Sequence, residues 1–197
     1  MGLGSTVMWA LAVGYGIVQA ESATSITVLV YNYANAPGAK LEEAEAFAAR
    51  SYRAAGIALT WVDCTDSQDD IQRFRACEQA NAGHPLVLRI IPERMTTAIP
   101  GFRESDDALG IAVSFYAFVV YGRTQKSAGV WGVPEHVVLG RTIAHELGHL
   151  LLGENSHSRS GLMQPSFGPR HLALESGQFL FDPKQAAHLR KLSRRSQ

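Results

Sequence analysis

Two histidines, His145 and His149, stand four residues apart, and Glu146 follows directly on the first. An α-helix repeats every 3.6 residues, so positions i and i+4 share a face and two imidazoles at this spacing converge on one point. Imidazole nitrogen suits zinc, and a catalytic zinc takes three protein ligands while leaving a fourth position for water. Glu146 then stands where it can take a proton from that water. The nearest third ligand of the right type is His157, past Gly153, whose freedom to adopt positive φ lets the chain leave the helix and turn back. The residues around the pair are apolar (Val138, Leu139, Ile143, Leu147, Leu150), which sends both histidines inward, where an unpaired imidazole is costly and a metal ion satisfies it.

The run His145-Glu-Leu-Gly-His-Leu-Leu-Leu-Gly-Glu-Asn-Ser-His157, followed by Met163, resembles the metzincin clan of zinc metallopeptidases. That clan's pattern is HExxHxxGxxH followed by a methionine turn. Here Gly153 comes four residues after His149 and His157 eight after, one residue more on each side of the glycine than in the pattern. Glu154 and Glu175 therefore stay open as alternatives to His157, the latter in the manner of a thermolysin-like ligand. The resemblance implies that Met163 packs beneath the ligands without binding the ion. It also implies an antiparallel edge strand, over residues 109–114, along which an extended peptide pairs. No tyrosine follows Met163, where some members use one to hold the oxyanion, and His171 is the candidate to replace it.

The elements that must position these groups follow from periodicity. Residues 25–33 and 57–62 read as strands on either side of a helix over 39–55, so the two strands should run parallel with a right-handed crossover. A short helix is expected around Ile71, Phe74, Cys77 and Ala80, a third strand over 85–91 and a loop over 92–109. Two strand-like runs, 108–114 and 116–121, precede the metal-binding helix at 135–152. Asp182-Pro183 caps a last helix at 184–192 that ends in a basic tail. The expected fold is α+β, with a mixed, mostly parallel twisted sheet of four to five strands, an antiparallel edge strand and a C-terminal helix.

With 197 residues, 46% of them hydrophobic, the chain can build a globular domain, and residues 21–197 are expected to form one. Eighteen basic residues balance eighteen acidic ones, so charge argues for neither nucleic acid nor an anionic membrane as partner. Residues 1–20 read as a secretory signal, an apolar run ending in Val18-Gln-Ala20; the run is too short for the roughly 20 residues that span a bilayer. Export agrees with the two cysteines, Cys64 and Cys77, which an oxidising compartment would join. The reading is therefore a secreted or periplasmic zinc endopeptidase acting on a protein or peptide, with Glu146 as general base. The competing expectation is a zinc-binding protein without turnover that holds a protein partner on its open sheet edge.

Overall fold

The computed structural model describes residues 24–65, 70–102, 107–168 and 179–195. The expected signal, 1–20, lies outside them, as do His171 and Glu175. Among the described residues no helix is long and apolar enough to cross a membrane.

The chain opens with β1 (Thr24–Asn32), α1 (Gly38–Ala54) and β2 (Ile57–Asp63), and β1 pairs with β2 in parallel. Next come α2 (Ile71–Asn81) and β3 (Leu86–Ile91), which lies on the other side of β1, also parallel. β4 (Gly110–Val113) and β5 (Tyr116–Val120) form a tight antiparallel hairpin, and β5 joins the sheet parallel to β3. The strand order is β2-β1-β3-β5-β4, so β4 is an edge and the only antiparallel member, as expected for 109–114.

Alternation along the strands gives the sheet two apolar faces. Val28, Val30, Leu88, Ile90, Ala117 and Val119 point to one, where α1 and α4 (Glu135–Leu152) cover them. α4 supplies Leu139, Ile143, Ala144 and Leu147, all without solvent contact, at the period of a buried helix face. Each such Leu or Ile contributes about 1.5–3 kcal/mol by leaving water. The two helices touch closely because residue 140 is glycine: a Cβ there would lie 2.5 Å from the Ala44 carbonyl oxygen. Tyr52, fully buried on α1, donates its hydroxyl to the Ala144 carbonyl at 3.0 Å. Burial raises the phenol's pKa well above its ordinary value. α1 thus fixes α4 along the sheet.

On the opposite face Leu29 packs with Cys64 and Cys77, which form a disulfide that fastens α2 to the end of β2. The bond suits the oxidising compartment expected of an exported protein.

Two features depart from the sequence reading. The stretch after β3 is not simply a loop, since Glu93–Ala98 forms a 3₁₀ helix. A further helix, α3 (Tyr121–Trp131), follows β5 directly. It buries only Tyr121, Thr124 and Ala128 and contains Gly122 and Gly129, so its apolar stripe is thin and its propensity low; packing on α4 holds it in place. The last helix, α5 (Pro183–Arg195), starts as expected, with the Asp182 carboxylate accepting from Lys184 and Gln185 N–H at 2.8 Å each.

Candidate metal centre

α4 ends at Gly153, with φ +95° and ψ 165°, a region open essentially to glycine alone. The chain there turns back along α4 instead of extending it. The returning segment brings His157 to His145 and His149, with ring centroids 5.4 and 4.7 Å away respectively. One ligand atom from each of the three lies within 4.8 Å of the others. Among the described residues these three histidines are the cluster that could hold a metal ion. His145 is buried, His149 half-buried and His157 exposed. Glu154 lines the same cleft but is not part of the cluster.

The imidazoles are oriented from behind. His145 Nδ1–H donates to the Leu162 carbonyl at 2.8 Å. His149 Nδ1 lies 3.1 Å from Ser156 Oγ and 3.4 Å from the Gly153 carbonyl. A carbonyl only accepts, so His145 keeps its proton on Nδ1 and presents a bare Nε2, whereas the Ser156 hydroxyl can either donate to His149 Nδ1 or accept from it. The two Nε2 atoms are 3.1 Å apart. The bare Nε2 of His145 faces His149 Nε2 across that gap, where it can accept from an Nε2–H of His149 or share a cation with it. The distance is near the edge of roughly 3.3 Å between two nitrogens that bind one tetrahedral ion at about 2.0–2.1 Å. The donor set and its geometry therefore fit a metal.

Electrostatics agree. Burial, with the charges of His149, Arg141 and His157, pushes the His145 pKa down to about 3, although its bond to Leu162 works the other way. His149 is lowered too, first by burial. Both are thus neutral near pH 7, the state in which imidazole ligates. Burial drives the Glu146 carboxyl up to about 8, with Arg141 opposing.

The support for Leu162 is itself tied down. Gly161, at φ +84°, passes so close to Leu180 that a Cβ would lie 2.5 Å from its carbonyl oxygen, and Leu162 N–H donates to that oxygen at 2.8 Å. Met163 is fully buried, and its sulfur occupies the space a side chain at Gly148 would need, 2.5 Å from the position of a Cβ. The glycine between the two histidines is what admits the methionine against this part of α4. Gln185 of α5 donates to the Ser156 carbonyl at 2.7 Å and so anchors the loop that carries His157.

The site opens into a cleft of about 1120 Å³ between β4, α3 and the segment after Met163. Glu146 lines it with the three histidines, and Gly110 of β4 lies directly over the Glu146 side chain. Sequence reasoning missed Gly110, Ser156, Gln185 and the α3 wall, all of which act from outside the motif. It also missed Arg141, although the i−4 spacing from His145 could have found it.

These features define a three-histidine group that could hold a metal ion, set beside the edge of a mostly parallel α+β sheet. No protein-family model matches the chain, and no curated protein does.

Proposed function

We propose that the protein is a secreted or periplasmic zinc endopeptidase of metzincin-like type, with His145, His149 and His157 as ligands and Glu146 as general base. The observation that carries this is the convergence of three imidazoles, one ligand atom of each within 4.8 Å of the others, in the same cleft as the Glu146 carboxylate. The ion, when bound, supplies a Lewis acid that polarises a scissile carbonyl and lowers the pKa of water. Glu146 accepts a proton from the attacking water and delivers it to the leaving amine nitrogen. A carboxyl whose pKa lies near working pH suits both transfers; burial raises that of Glu146 to about 8, and a cation held by the histidines would lower it.

The remaining parts support the same reading. Among the described residues β4 is the outer strand of the sheet, beside Glu146, so an extended peptide can add to it and lay its backbone across the cleft. Met163 packs under the ligand pair, leaving its sulfur to shape the floor. Peptide hydrolysis by the zinc-loaded chain and by Glu146→Ala tests the assignment. Wild type should cut and the variant should be slower by about a hundredfold or more, the lower end of what a general base supplies. Equal rates, or zinc bound with no cutting by either, refute it.

A further inference from the structure

Arg141 is the largest of the fully buried side chains, 1% exposed, and nothing in the proposed reaction uses it. Helical spacing puts it one turn before His145 on the same face of α4. The guanidinium carbon lies 3.5 Å from the centroid of the Phe167 ring. Its Nε and Nη1 are buried and have no hydrogen-bond partner among the described residues. A guanidinium has five donors, cannot accept, and stays charged, so the N–H groups on Nε and Nη1 lack partners where they are buried.

The surroundings show from which side a partner can come. Phe167, which covers the guanidinium, also lines the cleft, as does Thr142, the next residue of α4. Trp131, another cleft residue, meets the Phe167 ring edge-on at 5.6 Å. The charge therefore sits one aromatic ring behind the cleft wall. Phe167 itself packs against a core cluster that includes buried Val138 and Phe179. Among the described residues, Glu146 is the acid whose charge acts on it, and that carboxylate is committed to proton transfer.

We propose that Arg141 forms the floor of a subsite beneath Phe167 that takes the side-chain carboxylate of an acidic substrate residue, making the enzyme selective for cleavage beside Asp or Glu. The inference rests on the peptidase reading for its substrate. A carboxylate both neutralises the guanidinium and accepts from its unpartnered N–H groups, whereas Asn or Gln of the same shape does only part of the second. The Phe167 ring turns aside to admit it. The ring sits on the irregular stretch after Met163, next to exposed Pro165 and Ser166.

The test is a digest of a mixed peptide library by the zinc-loaded chain, read by mass spectrometry of the cut ends. Asp and Glu should be enriched over Asn and Gln by about tenfold or more at one position beside the cut. Arg141→Met should abolish that ratio while still cutting the neutral peptides. An Arg141 that serves only as counter-charge to Glu146 would slow all peptides alike and leave the ratio unchanged, which overturns the proposal. So does a wild-type profile with no acidic preference. If no peptide is cut, the peptidase reading fails and the subsite is judged separately, by the NMR signal of the Arg141 Nε–H. N-acetylglutamate amide should shift that signal and N-acetylglutamine amide should not. A signal unmoved by both overturns the subsite as well.

Discussion

Gly110 offers a sharp test of how the sheet edge and Glu146 depend on each other. A Cβ at this position would lie 2.8 Å from Glu146 Cγ, 3.0 Å from its Oε1 and 2.7 Å from the Phe118 carbonyl oxygen. Carbon atoms in ordinary contact sit about 3.5–4.0 Å apart, so Gly110→Ala must open the gap to Glu146 by roughly 0.7 Å. β4 cannot simply retreat, because Gly110 pairs with Val119 in the β4–β5 ladder and the Phe118 oxygen blocks the other side. Glu146 therefore takes most of the displacement. Misplacing a reacting group by about 1 Å costs on the order of a hundredfold, so kcat should fall roughly 10- to 100-fold. None of the three atoms nearest a Cβ there belongs to a histidine, and zinc affinity should stay within about threefold of wild type. Overpacking of this kind costs about 1–3 kcal/mol of stability, visible as a lowered Tm in the metal-free chain. Steady-state kinetics on a fluorogenic peptide, zinc competition with a chelator and a thermal melt together separate these effects. A variant with kcat within twofold of wild type would show that β4 does not confine Glu146 and would refute the reasoning.

Three further outcomes follow from the same contacts. His157→Ala removes the exposed third imidazole and should weaken zinc binding by about a hundredfold in chelator competition, whereas affinity at the wild-type level would return the third position to Glu154 or Glu175. In the metal-free chain Glu146 has a folded-state pKa raised to about 8 from 4.5, so the folded protein holds a proton that the unfolded one has released. Its contribution to stability is complete below pH 4.5 and is lost as pH rises through 8; urea titrations against pH should show that decline in wild type and a flatter curve in Glu146→Gln. His145 works in the opposite sense, its stabilising contribution being lost as pH falls from 6.5 toward 3. Replacing Cys64 and Cys77 by serine opens a loop closed across 13 positions and should cost about 3 kcal/mol, read from denaturant melts, while zinc affinity holds because the bridge packs on the face of the sheet away from α4.

How much of this was legible beforehand depends on whether the information is local. α4 was bounded from Pro134 to Gly153 by sequence alone, because its apolar stripe and both end signals lie within one segment. The strand-helix-strand start, the disulfide and the edge strand were legible for the same reason. α3 was not, since its buried face is three residues wide and contact with α4 decides its conformation. The longer spacing to His157 left the third ligand open, because how far a loop returns depends on what it lands on. Here it lands on Met163, through the Ser158 N–H that donates to the Met163 carbonyl at 2.9 Å, and on α5, through Gln185 and Ser156. Those anchors lie outside the motif, and they absorb the two extra residues while the ring still reaches its partners. Gly148 carries the same lesson. As a letter in the string it is a weak helix former, and only the methionine sulfur packed where its side chain would stand explains why an alanine there would disturb the floor beneath both imidazoles.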